Sequence, residues 1–406
     1  MKILLSAFAC SPGRGSEPGV AWGFIQRAAL QNEVWVITNI HNKPFIEAEM
    51  QKGKHSSVNY IYISPKLFMK LAYRSSLSHY LYYGAWQVEA LRVARRLHHE
   101  VGFDIVHHLT YMNPWIPSLL GWVGPPFIWT AGNVERTPWS YIQRMPWRGK
   151  LQEVLRNLAV SFGMFVSGFL AARRAALILS ASPPERWSKR LPVRHFPLGG
   201  LTEEDLKRIP RTETHNQQTP FRVVSIGRML PWKGFDLGLQ AFAKLQQKYP
   251  ESEYWLIGEG PEKSRLEALA RRLGVSYAVH FFGEVPRREV FSHLAKASVL
   301  LHPGLRESFG YVVVEALAAG VPVICLDQGA LSRIVQEGIG IKIKAKSPEQ
   351  VVEAMSEAMY ALAIDPARRR AMGDIAFKYA RRYWTWEAVG ESLLEYYRMI
   401  DNRRQE

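Results

Sequence analysis

The chain reads as an α/β protein made of two domains, each a doubly wound parallel sheet. Three observations predict this. Short apolar, strand-like runs alternate with amphipathic helical stretches, the pattern of a parallel sheet with helices on its faces. The alternation is carried through twice, with a polar, proline-bounded segment between the two rounds. A length of 406 residues suits about two to three domains.

In the first half the strand-like runs are KILLSAF from Lys2, EVWVITN from Glu33, NYIYIS from Asn59, DIVHHL from Asp104, PFIWTAG from Pro126 and ALILSAS from Ala176. Helical patterns such as VAWGFIQRAALQ from Val20 and YYGAWQVEALRVARRLHHE from Tyr82 separate them. The second half repeats the scheme with RVVSIGR from Arg222, YWLIGEG from Tyr254, VHFFGEV from Val279, SVLLHPG from Ser298 and PVICLD from Pro322. Gly199-Gly200 closes the first half, and the strand-free stretch from Thr202 to Pro220 is a linker. The expected domains are therefore 1–200 and 201–384, with a cleft between them. A final helical stretch, 385–406, opens with Trp384 and Trp386 just at its start.

Composition bounds the class. Apolar residues make up 47% and charged residues 22%, an ordinary globular balance with ample core. Cys10 and Cys325 are the only cysteines, far apart in apolar runs, which excludes a disulfide framework or a zinc site and suits a reducing compartment. The short apolar run at the N-terminus breaks into a glycine-rich loop, so it reads as a first buried strand and not as a signal peptide. No run reaches ~18 uninterrupted apolar residues; the longest, Leu158 to Leu179, is broken by Arg173 and Arg174. Net charge is +16, and residues 1–200 hold 23 Lys and Arg against 10 Asp and Glu. A half that basic implies a polyanionic partner: an anionic membrane, a nucleic acid or an acidic substrate.

The most informative segment is LHPGLRESFGYVVVEALAAGVPVI, Leu301 to Ile324. Glu307 falls in a loop, and Glu315, with seven residues between, lies more than one turn inside a helix that stops at Gly320. The unpaired N–H groups of such a helix start suit a phosphate. A loop carboxylate there can accept hydrogen bonds from sugar hydroxyls, and one deeper in from a ribose, so the layout suits a sugar nucleotide. Glutamates near helix starts are also common simply because the dipole favours them. Upstream, Arg228 and Lys233 in SIGRMLPWKGFD follow a strand and precede a helix, at the sheet edge where open α/β sheets bind ligands.

The string E-S-F-G-x-x-x-x-E-A-L-A-A-G-V-P-V-I resembles the signature of the retaining, GT-B-type glycosyltransferases of family 4, also called glycosyl transferases group 1. Ser308, Phe309, Gly310, Ala316, Gly320 and Pro322 stand where that family has them, and Arg228, Lys233 and Gly234 resemble its R-(x)4-K-G element. The resemblance implies a GT-B fold of two Rossmann-like domains and transfer of a hexosyl group from a nucleoside-diphosphate sugar. Arg228 and Lys233 would hold the diphosphate, Glu307 the hexose and Glu315 the ribose. The loops at Gly258 to Pro261 and at Phe281 to Val285 would line the nucleotide pocket, through Gly258, Glu284 and Val285. Gly19, in SPGRGSEPGVAWGF, resembles the second glycine of the family's first glycine-rich loop. That loop is not a dinucleotide fingerprint, because Gly13-x-Gly15 is followed by Pro18 where the third glycine belongs. The family also places its last helix back on the N-terminal domain.

No Asp-x-Asp occurs anywhere in the chain, so cationic side chains would take the place of a metal ion, and neither a metal nor another cofactor is expected. One departure stands out. Many family members have a histidine after the strand matching PFIWTAGN, but here Asn133 and Glu135 follow. Asn133, Glu135, His107 or His108 are the candidates for its role. The donor would be a UDP- or GDP-sugar, and the acceptor a glycan, a glycolipid or a lipid-linked species. Two carboxylates are also what glycoside hydrolysis uses, but Glu315 behind a phosphate-binding helix end and the Arg/Lys pair argue against it. A sugar-nucleotide epimerase and a basic nucleic-acid-binding protein are the alternatives. Epimerases lack the paired R-(x)4-K and E-(x)7-E elements, and the nucleic-acid reading rests on charge alone. The expected place of action is the cytoplasm, at the inner face of the membrane. Trp139, Arg144, Trp147, Arg148 and Lys150 precede an apolar stretch that is either an interfacial helix on anionic lipid or a plain core helix.

Overall fold

The computed structural model describes residues 1–13, 17–53, 58–65, 76–132, 135–183, 185–212 and 220–405. Two of the residues singled out above, Gly15 and Asn133, lie outside them. The chain forms two compact units. The first comprises Met1–Val134, Ala159–Gly200 and Trp386–Glu406, and the second Glu135–Leu158 and Leu201–Thr385. Each unit is a parallel sheet flanked by helices, the expected pair of Rossmann-like domains.

The first unit is built on β1 (Lys2–Ala7), β2 (Glu33–Asn39), β3 (Val58–Ile63), β4 (Ile105–Thr110), β5 (Phe127–Ala131), β6 (Ala175–Ser180) and β7 (Val193–His195). They pair in parallel in the order β3-β2-β1-β4-β5-β6-β7. Every residue of β4 and β5 is buried, as expected of strands covered on both faces. The helix Glu17–Ala28 turns Val20, Phe24 and Ile25 inward at helical spacing. The last helix, Trp386–Gln405, packs in this unit: Trp386 meets Phe24 edge-to-face at 5.2 Å, and Gly23 lies so close under that indole that no Cβ would fit.

The second unit holds β8 (Phe221–Ile226), β9 (Ser252–Ile257), β10 (Val279–Gly283), β11 (Val299–His302), β12 (Val323–Leu326) and β13 (Gly340–Ile343). Their order is β10-β9-β8-β11-β12-β13, again parallel throughout. Among its described residues the linker has no strand, but it contains the short helix Glu203–Arg208, closed by a capping box between Thr202 and Asp205.

Two features differ from the sequence reading. The segment Glu135–Leu158 was expected within 1–200, yet it folds with the second unit. Its Tyr141 and Met145 share a core with Phe221, Phe235 and Leu237, an attachment that apolar periodicity alone does not reveal. The apolar stretch after Trp147 is one continuous helix, Trp147–Leu170. Among the described residues it and its continuation to Arg174 are the one piece of helix long and apolar enough to cross a membrane by length and composition. Counting uninterrupted apolar runs did not mark it as a span, because Arg156 on one side and Arg173 and Arg174 on the other bound the charge-free stretch.

Candidate functional site

In each sheet the strand order reverses once: between β1 and β4 in the first unit, and between β8 and β11 in the second. Loops leaving neighbouring strands at such a switch point diverge to opposite faces and leave a crevice at the carboxyl ends. In the second unit those two loops carry Lys233 and Glu307. Lys233 sits on a short 3-10 turn, Pro231–Lys233, after β8; Glu307 lies between β11 and the helix Tyr311–Ala318.

The two side chains meet. Lys233 Nζ donates to Glu307 Oε2 at 2.5 Å, and His302 Nε2 lies 3.4 Å from the same oxygen. The supporting backbone is equally close: Leu305 N–H donates to the Trp232 carbonyl at 2.9 Å. Gly234, after Lys233, has φ +67° and faces the Pro303 carbonyl, which a Cβ would strike. Burial by itself would raise the Glu307 carboxyl; the Lys233 ammonium and the hydrogen bond from His302 reverse this and hold it well below the usual carboxylate range. Glu307 is thus a fixed anion in a partly buried place.

Gly310 caps the helix Tyr311–Ala318 with φ +82°, and no side chain caps its N-terminus. The neighbouring loops are tied to one another through backbone. Gly227 N–H donates to the Ile257 carbonyl at 2.9 Å, Met229 N–H to Glu259 at 2.8 Å, and Gly258 N–H to Gly283 at 2.7 Å. The structure therefore brings together the carboxyl ends of β8, β9 and β10, with Arg228, Gly258, Glu284 and Val285 on their loops. Arg228 and Glu284 are exposed there, and Ser308 is exposed beside Glu307, its N–H donating to Glu307 Oε1 at 3.1 Å. Phe309 instead is buried, packed edge-on to Tyr311 at 4.5 Å and against Trp384 at 5.8 Å, so it fixes the loop.

Glu315 is buried in the second turn of its helix, where Arg287 donates to Oε1 from Nη2 at 2.8 Å and from Nε at 3.2 Å. Arg287 also pairs with Asp205 at 3.0 Å. Burial pushes the Glu315 carboxyl up, while Arg287 opposes the shift. Sequence reasoning missed Arg287, Asp205 and His302. Arg287 opens the helix Arg287–Ala295 two residues beyond the loop ending at Val285, and His302 ends β11 directly before Pro303, so both positions were marked by their strands.

Gly19 belongs to the first unit. It lies inside the first turn of the helix Glu17–Ala28 and not before it, because the helix already begins at Glu17, a position where Pro18 and Gly19 cost no helical hydrogen bond. Two of the candidates for the missing histidine's role, His107 and His108, lie in the core of the first unit. His107 is buried in the first unit, bonded through Nδ1 to the Tyr397 hydroxyl and through Nε2 to Thr130 Oγ1, both at 2.8 Å. His108 is buried between Tyr83 and Ser6. Both are core residues with their ring nitrogens engaged. The Glu135 carbonyl accepts from Arg156 Nη1 at 2.9 Å.

Sheet order and switch point define the class, an open, doubly wound α/β sheet with its crevice at the carboxyl ends of β8 and β11. Residues 207–378 match the model of the family described as glycosyl transferases group 1. The chain is similar to a D-inositol 3-phosphate glycosyltransferase of Corynebacterium urealyticum, at 35% identity over 45% of this chain and 43% of the relative. It is also similar to a GDP-mannose-dependent alpha-(1-6)-phosphatidylinositol monomannoside mannosyltransferase of Mycolicibacterium smegmatis, at 32% identity over 45% of this chain and 48% of the relative. The chain thus spans less than half the length of these curated relatives. Across 98% of both chains its fold matches the sucrose-phosphate synthase of Thermosynechococcus elongatus, with a TM-score of 0.61 and 20% identity.

Proposed function

We propose that the protein is a retaining glycosyltransferase that moves a hexosyl group from a nucleoside-diphosphate sugar to a glycan or lipid-linked acceptor without a metal ion. The observation that carries this reading is the Lys233–Glu307 pair at the switch point, 2.5 Å apart beside an uncapped helix start. Departure of a nucleoside diphosphate leaves negative charge on its phosphates. The Lys233 ammonium, the Arg228 guanidinium and the free N–H groups of the helix would stabilise that charge, the task a divalent cation performs elsewhere. Glu307, held ionised, would accept hydrogen bonds from hexose hydroxyls and orient the sugar for transfer. Glu315, steadied by Arg287, would take the ribose. The donor would be a GDP- or UDP-sugar. One relative is named as GDP-mannose-dependent, and both relatives are named for inositol-containing acceptors, which fits an anionic or lipid-linked acceptor beside the basic first half.

The test is transfer itself. Screening UDP-, GDP- and ADP-sugars against lipid-linked acceptors should give a product whose anomeric configuration, read by NMR, equals that of the donor, with no loss of rate in EDTA. Lys233→Ala and Glu307→Ala should each abolish transfer while the far-UV spectrum stays unchanged. Full activity in either variant, an inverted product, or strict dependence on added Mg²⁺ would overturn the corresponding part of the proposal.

A further inference from the structure

The helix Trp147–Leu170 carries a feature that donor chemistry does not use. Trp147, Leu151, Leu155, Leu158, Phe162 and Phe165 are all exposed, the two phenylalanines at 73% and 78%. At 100° per residue these six fall within an arc of about 80°, and they run along about 27 Å of helix. The stripe is therefore set by the helix itself. The opposite side is engaged with protein. Glu153, fully buried, accepts from Arg306 Nη2 at 2.7 Å and from Thr137 Oγ1 at 2.6 Å. Val160 and Ser167 are buried, and Gly163 presses on the Trp115 carbonyl. A helix held this way cannot be surrounded by lipid, so its length and composition do not make it a membrane span.

Charge names the occupant. Glu153 is the helix's one carboxylate, and it points inward. The exposed residues of the helix include Arg148 and Lys150, which flank the apolar arc on either side, and no acid. Arg148 stacks at 5.3 Å over the exposed Trp147 ring, Trp139 is 61% exposed just upstream, and exposed Arg173 and Arg174 follow the helix. A second copy paired through this same face would set cation against cation; an anionic leaflet offers negative charge everywhere. Aromatic and aliphatic residues on one arc with cations along its margins are what a helix lying in a headgroup layer requires.

We propose that the exposed face of the helix Trp147–Leu170 docks the protein onto an anionic lipid surface, with Phe162 and Phe165 entering the acyl boundary and Arg148 and Lys150 contacting headgroups. Arg144 takes no part, since it is engaged by Gln240 at 2.8 Å and Glu349 at 3.2 Å. The inference rests on the helix alone and stands or falls independently of the donor reading.

Flotation with vesicles of phosphatidylcholine, with and without phosphatidylglycerol, tests it. The full chain should float with the anionic vesicles at low salt and lose binding as salt is raised. The pair Phe162→Ser/Phe165→Ser should weaken binding by at least about tenfold, a change that burying two aromatic side chains readily accounts for. Arg148→Glu/Lys150→Glu should remove the dependence on phosphatidylglycerol. Because these four side chains are exposed, thermal unfolding should be unchanged, which separates docking from folding. No binding to anionic vesicles at low salt would overturn the proposal. So would sedimentation showing a dimer that the phenylalanine variants dissociate while vesicle binding stays unaffected.

Discussion

At the scale of single residues, the same residue types serve opposite ends in the two units. Glu307 is an anion kept ionised by Lys233 and His302, so Glu307→Gln, which keeps the shape and removes the charge, should lower the transfer rate by roughly a hundredfold or more. Lowering the pH to 5 should not reproduce that loss, since the carboxyl is held well below its usual range. The buried histidines make a second prediction. Burial, with His108 adding to it, pushes His107 down to about 3, and burial pushes His108 down to about 4. Both folded values lie below the ordinary value of about 6.5. As pH falls below that value the unfolded chain therefore takes up protons that the folded chain refuses. Their stabilising effect is complete above about pH 6.5 and declines beneath it, by about 1.4 kcal/mol per pH unit for each ring. Urea unfolding at a series of pH values should show this slope, and His107→Gln should reduce it by one proton; an unchanged slope would contradict the burial of that ring. From sequence, a His-His pair at a strand end could serve either chemistry or the core. Only the partners of His107, Tyr397 and Thr130, decide it, and Tyr397 is 290 residues away.

At the scale of elements, most strands were legible because a buried parallel strand is a continuous apolar run. The two that were not, β7 and β13, are edge strands of three and four residues, VRH and GIKI, in which basic side chains break the apolar signal. The positions of Arg228, Lys233, Glu307 and Glu315 were legible too, since each follows a strand run by a fixed spacing. The contact between Lys233 and Glu307 was not, because it depends on β8 and β11 being neighbours across the switch point. Gly234 enforces that contact. Gly234→Ala would place a Cβ on the Pro303 carbonyl in a left-handed conformation, and it should cost at least about 1–3 kcal/mol in stability and weaken donor binding together. The bridge between the helix Trp147–Leu170 and the Glu307 loop is Glu153–Arg306, which no spacing could reveal. Arg306→Ala leaves a fully buried carboxylate without its cation and should cost about 3 kcal/mol, whereas Arg306→Ala with Glu153→Leu should recover much of it. Equal destabilisation in the single and double variants, measured by urea unfolding, would contradict that pairing.

At the scale of the whole molecule, two doubly wound units explain how one chain can join a basic half to a nearly neutral one. Residues 1–200 carry 23 cations against 10 anions, while the proposed switch-point site of the second unit would need only Arg228 and Lys233 to meet a diphosphate. Composition revealed that asymmetry but not its placement, since the segment Glu135–Leu158 crosses from one half of the sequence to the other unit of the fold. The central claim is that Lys233 and Glu307 form a sugar-nucleotide site. Thermal unfolding of the wild type and of Lys233→Ala, each titrated with UDP, GDP and their sugars and with an unrelated oligonucleotide, tests it most directly. A nucleotide that binds the folded state should raise the wild-type midpoint progressively with concentration, by mass action, and leave Lys233→Ala nearly unmoved. Equal shifts in both proteins, or stabilisation by the oligonucleotide and by no nucleotide sugar, would contradict it.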